Sequence, residues 1–204
     1  MLTREARGVF LIAATPFEPD GTLDLPGIDR LVEWYLERGV DGLTILGQLG
    51  EAPKLTHEES ALVVRRVLAR VAGRVPVVAG VSSSGYASLV ALARLAVEAG
   101  AAGVMVAPPG TLKGDDAVLG YCRDVEARLD GIPWVLQDFP LAGGPPMSAG
   151  LIRRIAEAAM AELRAAVGQF EGVHLTDGKD ILEIAVTDMT KGRYLEWFIG
   201  ATDP

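Results

Sequence analysis

The chain has 204 residues, half of them hydrophobic, with 27 acidic against 19 Lys and Arg residues and a formal charge of −8. That length supports one sizeable core, and the apolar content excludes a disordered chain. The acidic balance argues against a nucleic-acid partner, which would need a basic face. Short apolar, β-branched runs alternate with stretches whose apolar residues recur at three- and four-residue spacing. In chain order the spacing predicts strands at 9–14, 42–46, 75–79, 103–107 and 133–136. It predicts helices at 28–38, 58–71, 86–99, 117–129 and 149–166. A sixth strand is expected at 172–175, and 181–204 carries Trp197 and Phe198 in a helical stripe that would cover a sheet edge.

Several boundaries are marked. Thr56-His57-Glu58-Glu59 fits a capping box, Ser148 is placed to cap the helix that follows it, and Gly39, Gly73, Gly100 and Gly131 stand where helices should end. Strand followed by helix throughout implies parallel strands with right-handed crossovers. Two folds share that rhythm, the eight-stranded barrel and the doubly wound sheet. The turn after the first strand reads Thr15-Pro16-Phe17-Glu18, without the glycine-rich phosphate loop of a doubly wound nucleotide binder, and this favours the barrel.

Cys122 is the single cysteine, which leaves no disulfide framework or cysteine zinc site. Its expected place is on a helix face as a small hydrophobe. Arg4, Glu5 and Arg7 interrupt the start of the chain, unlike a signal peptide, and no apolar run reaches membrane-spanning length. The expectation is a soluble cytoplasmic protein with no membrane partner.

Three stretches resemble the dihydrodipicolinate synthase and N-acetylneuraminate lyase family of pyruvate-dependent lyases. Thr15-Pro16-Phe17, with Asp20-Gly21 and Ile28-Asp29, is similar to the family's opening strand, loop and helix. Gly39-Val40-Asp41-Gly42-Leu43 leads to Gly47-Gln48-Leu49-Gly50-Glu51 and then Leu55-Thr56-His57-Glu58-Glu59, similar to the second strand, its G-T/S-T-G-E loop and the next helix start. Val77-Val78-Ala79-Gly80-Val81 and Ala99-Gly100-Ala101-Ala102-Gly103-Val104-Met105-Val106 resemble the third and fourth strands. The resemblance covers about 8–157 and implies an α/β fold of the TIM (β/α)8 type, incomplete at about six βα units. Residues 1–158 would hold the family-like units one to five, and 159–204 a divergent tail with room for a sixth. Six strands would leave sheet edges open, so the resemblance implies a shortened or rearranged barrel or units supplied by a partner chain.

The resemblance also implies a chemistry. A lysine amine, unprotonated in a water-poor site, forms a Schiff base with the ketone of a small 2-oxo acid such as pyruvate. A phenol relays protons, and small hydroxyls hold the substrate carboxylate. Here the paired hydroxyl residues fall on Gln48 and Leu49, while Gly50 and Glu51 remain. The phenol at the end of strand five falls on Gln137, in Gln137-Asp138-Phe139-Pro140. The arginine often found beyond it falls near Ala142, and the second phenol falls in Pro108-Pro109-Gly110.

The lysines are Lys54, Lys113, Lys179 and Lys191, none inside an expected strand. Lys179, just past the sixth strand, is the candidate nucleophile, although a solvated turn lysine is the plainer reading. Thr15, Gln48, Leu49, Gly50, Glu51, Ser82 and Asp138 are the candidate substrate-binding residues, and Gln137 joins Lys179 as a candidate catalytic residue. Ser82-Ser83-Ser84 follows strand three, where a barrel aims side chains at its pocket, but any polar loop reads the same way. His57 belongs to a helix start, and His174 on an apolar strand reads as a core or rim histidine. Asp138 and Asp177 have no His or Cys partners, so neither a metal nor a cofactor is expected.

Three functions follow. One is a carbon–carbon or carbon–oxygen lyase of altered specificity, acting on a 2-oxo acid as a homo-oligomer. Another is a non-catalytic or fragmentary barrel that binds without turning over. The third is a barrel enzyme using Gln137 and Asp138 for other chemistry.

Overall fold

The computed structural model describes residue 2 and residues 6–139, 143–167 and 196–199, the last four and 160–167 by their backbone. The chain divides into two compact units, Met1–Val106 and Ala107–Pro204.

In the first unit β1 (Phe10–Ile12), β2 (Gly42–Ile45), β3 (Val77–Gly80) and β4 (Gly103–Val106) run parallel in sequence order. Ile12, Thr44, Val78 and Gly103 form one rung across them. Strands β2, β3 and β4 are buried at every position, as apolar runs covered on both faces should be. Helices α1 (Leu25–Glu37), α2 (His57–Val71) and α3 (Tyr86–Glu98) make the crossovers.

Helix α1 starts earlier than its apolar stripe suggests. Asp24 accepts a hydrogen bond from the Gly27 N–H at 2.7 Å, and Pro26 suits a first turn whose N–H groups lack partners. The capping box at α2 forms in both directions, Glu59 N–H to Thr56 Oγ1 at 3.1 Å and Thr56 N–H to Glu59 Oε2 at 2.8 Å. The glycines expected at the helix ends all take positive φ. Strand β3 starts two residues later than expected, after Pro76, which has no N–H for the ladder but whose carbonyl accepts from Leu43 N–H at 3.0 Å.

Helices α1 and α2 lie side by side. Ile28, Val32, Val63 and Val67 border a small void over the strand ends. Outside it Arg66 grips Asp29 through two hydrogen bonds, and Arg70 and Arg74 converge on Glu33. Hydrogen bonding from Arg74 holds the Glu33 carboxyl down at about 2 against the opposing effect of burial, with the Arg70 charge assisting.

The second unit contains α4 (Asp115–Leu129), β5 (Trp134–Gln137), α5 (Ala149–Val167) and β6 (Glu196–Ile199). Ser148 Oγ accepts from Leu151 N–H at 3.1 Å, capping α5 as expected. The indole N–H of Trp134 donates to the Glu126 carboxylate, tying β5 to α4, and Arg154 of α5 pairs with Asp116 of α4. Cys122 is buried on α4, and desolvation pushes its thiol up to about 12, so it behaves as a hydrophobe.

Strand β6 corrects two expectations. Trp197 and Phe198 lie in a strand, not on a helical stripe, and that strand runs antiparallel to β5, with Trp134 opposite Ile199 and Gln137 opposite Glu196. The physical reason is local: Glu196-Trp197-Phe198-Ile199 is rich in β-favouring residues, and the edge of β5 offers ladder bonds that four residues of helix could not match. The strand expected at 172–175 lies outside the described residues.

Candidate active site

The turn leaving β2 is held in an unusual backbone form. Leu46 has φ 54° and Glu51 φ 52°, both in the left-handed region although neither is glycine. Such residues persist only where the surroundings hold them, and two glycines leave the room that this turn needs. A Cβ on Gly80, at the end of β3, would lie 2.2 Å from the Leu46 carbonyl oxygen, and one on Gly50 would lie 2.9 Å from the Leu46 nitrogen. Thr15, buried beyond β1, donates its hydroxyl proton to the Gly50 carbonyl at 2.8 Å. Glu51 closes the turn by donating its N–H to the Gln48 carbonyl at 3.2 Å, and its carboxylate pairs with Lys54 at 2.5 Å.

This frame presents Gln48 and Leu49 to solvent. The structure therefore gathers Thr15, Gln48, Leu49, Gly50 and Glu51 into one assembly, with Thr15 and Gly50 as its fastening. Ser82 follows β3 and is exposed, while the next hydroxyl, Ser83 Oγ, accepts from Gly85 N–H at 3.2 Å and shapes the entry to α3.

In the second unit Gln137 ends β5 and Asp138 follows it, both half-buried. Asp138 Oδ1 is closed to solvent and has no hydrogen-bond partner among the described residues. Burial raises this carboxyl above its ordinary range. An unsatisfied carboxylate oxygen is costly to bury, so its retention argues for a role beyond packing. The loop before α4 lies against the loop after β5: a Cβ on Gly110 would meet the Gly143 carbonyl oxygen at 1.7 Å. That contact leaves no space for a phenol at Gly110.

One polar group escaped the sequence reading. Thr44 is fully buried in β2, and its hydroxyl has no partner among the described residues. A threonine in a β-branched run carries no signal that its hydroxyl will lack a partner. His57 opens α2 and is exposed. Lys179, His174 and Asp177 lie outside the described residues. Among those described, no group of three or more His, Cys, Asp or Glu side chains could hold a metal, and no helix is long and apolar enough to cross a membrane.

The model of the dihydrodipicolinate synthetase family matches residues 5–181. The 4-hydroxy-tetrahydrodipicolinate synthase of Methylococcus capsulatus is 33% identical over 167 residues, 81% of this chain and 57% of that protein. The crystal structure of dihydrodipicolinate synthase from Rhodopseudomonas palustris matches with a TM-score of 0.72 and 41% identity, covering 84% of this chain and 62% of that one. A prophage protein of the dihydrodipicolinic acid synthase family from E. coli K12, solved in complex with pyruvate, matches at TM-score 0.69 and 29% identity over 81% of this chain and 59% of its own. The chain spans about half the length of the curated relatives it matches. The fold is α/β, a (β/α)8-type barrel of which this chain carries a part.

Proposed function

The chain belongs to the dihydrodipicolinate synthetase family, and on that premise we propose a lyase that takes a small 2-oxo acid such as pyruvate through a lysine Schiff base, with specificity altered from the family's usual one. The observation that carries this reading is the turn after β2. Its backbone is fastened by the hydrogen bond from Thr15 to Gly50 and fitted closely against the side-chain-free Gly80, while the side chains it presents are Gln48 and Leu49 instead of a hydroxyl pair. The pyruvate complex of the E. coli relative supports the substrate class.

In this reading the neutral amine of Lys179 attacks the ketone carbon, and loss of water leaves an imine that withdraws electrons from the neighbouring carbon. Gln48 contributes amide N–H donors to the substrate carboxylate, replacing the hydroxyls. Gln137 cannot carry a proton, because an amide neither gains nor loses one near neutral pH. Asp138 is the group beside it that can, and its raised affinity for a proton suits that work. A cytoplasmic homo-oligomer completes the proposal.

Borohydride reduction in the presence of pyruvate, followed by intact-mass measurement, tests the reading. A pyruvate-derived adduct on Lys179 is the expected result. Pyruvate binding without an adduct would instead support a binding module, a reading favoured by the missing phenol at Gln137 and missing hydroxyls at Gln48 and Leu49.

A further inference from the structure

Helix α1 is engaged on two of its flanks. Ile28, Val32 and Tyr35 are buried toward the strands, and Asp29 and Glu33 are gripped by Arg66, Arg70 and Arg74 of α2. On the flank that helical periodicity turns away from α2, Gly27, Leu31, Trp34 and Arg38 follow at intervals of four, three and four residues. That is the spacing of a seam between two helices. Trp34 is 45% exposed and Leu31 half-buried. The Arg38 guanidinium lies over the Trp34 ring, 3.6 Å from its centroid, and donates to the Trp34 carbonyl at 3.4 Å. Tryptophan and arginine are the residue types that concentrate binding energy at interfaces.

The charges beside the seam select its occupant. A second α1 laid antiparallel sets Leu31 of each copy against Trp34 of the other. In that register Arg30 of each copy stands beside Glu37 of the other, on the solvent side of the seam. Arg30 touches Asp24 at 2.9 Å yet keeps 70% of its side chain exposed. Glu37 is exposed and enters no ion pair among the described residues. Arg38 falls opposite Gly27 of the other copy, where the Asp24 carboxylate fills the place of the missing side chain. A parallel pair would instead set Arg38 against Arg38. The flank is complementary to itself in one orientation only.

We propose that α1 is the two-fold interface of a homodimer, packed antiparallel on α1 of a second copy through Leu31 and Trp34 and registered by Arg30 with Glu37. The inference rests on the homo-oligomer in the reading above and names its surface. Because α1 has 13 residues the interface is small, and the dissociation constant is on the order of 10 µM.

Sedimentation velocity on the full chain, from about 1 to about 200 µM, reads the association. The wild type should pass from monomer to dimer, and Trp34→Glu should stay monomeric. Arg30→Glu and Glu37→Arg each set like charges together at two symmetric places, so each should weaken the dimer about tenfold. The double variant Arg30→Glu with Glu37→Arg restores opposite charges and should return to within about threefold of the wild type. Both charge sites are exposed and neither change opposes the helix dipole, so thermal unfolding of the monomers should match. If Trp34→Glu fails to fold, the charge variants decide alone. A dimer indifferent to every one of these changes overturns the α1 interface and leaves the homo-oligomer standing. Weakening in both single variants without recovery in the double overturns the antiparallel register and with it the inference. A wild type that stays monomeric throughout overturns both the interface and the homo-oligomer.

Discussion

The Thr15 hydroxyl donates to the Gly50 carbonyl across 35 positions of sequence, from a threonine that is 8% exposed. It ties the loop after β1 to the turn after β2, so the first two strand ends are held as one piece. Thr15→Val keeps the shape and removes the donor, leaving a buried carbonyl unsatisfied. The expected loss of stability is about 1–3 kcal/mol by urea unfolding. Thr15→Ser should recover most of it, since the hydroxyl is what matters.

Asp138 carries a raised pKa in the fold. The folded state therefore holds its proton more tightly than the unfolded chain, whose carboxyl titrates near 3.8. That contribution to stability is complete below 3.8 and is lost as the pH climbs through the folded value. Asp138→Asn removes the penalty. Its melting temperature should exceed the wild type's by a few degrees at pH 7, with the difference vanishing in strong acid. If Asp138 also moves the proton, the same variant loses turnover while gaining stability, a pair of effects that a packing role would not produce.

Glu33 behaves in the opposite sense. Its folded value of about 2 lies below the ordinary 4.5, chiefly through hydrogen bonding to Arg74. The stabilisation is present above 4.5 and is lost as the pH falls from there through about 2. In Arg74→Gln, side-chain carboxyl NMR should show the Glu33 titration moving up toward 4.5, and the variant should unfold at a higher pH on acidification.

Condensation of pyruvate with aspartate semialdehyde is expected to be absent from the purified chain. No phenol stands at Gln137, no hydroxyl at Gln48 or Leu49, and the loss of one acid–base group alone costs about 10²–10⁴ in rate. A coupled assay for the condensed product measures this directly. Should any imine form, Lys179→Ala should abolish its trapping.

Much of the scaffold was legible in the residues because its signals are local. Valine runs such as Val77-Val78 announce strands, and Thr56 with Glu59 announces the start of α2. The start of α1 at Leu25 was missed because the apolar stripe begins at Ile28, while Asp24 and Pro26 act through the backbone. The strand at Trp197 and Phe198 was misread as a helical stripe, since its state depends on the edge that β5 lends it. In the candidate site the residue types were readable and their constraint was not. Leu46 and Glu51 have side chains with no preference for positive φ, so only their neighbours reveal the strain. Gly80 did offer a clue, because a glycine closing a strand often marks another backbone coming close.

The contact between Gly110 and Gly143 orders the routes by which a phenol could enter at position 110, one of the three residues of the Pro108-Pro109-Gly110 run. Tyrosine at position 110 would bring its Cβ to 1.7 Å from the Gly143 carbonyl oxygen, so the substitution fails until the facing loop has retreated. A change near Gly143 must come before one at Gly110. Placing a phenol at position 110 therefore takes a sequence of steps across two loops, the first of which confers no chemistry of its own.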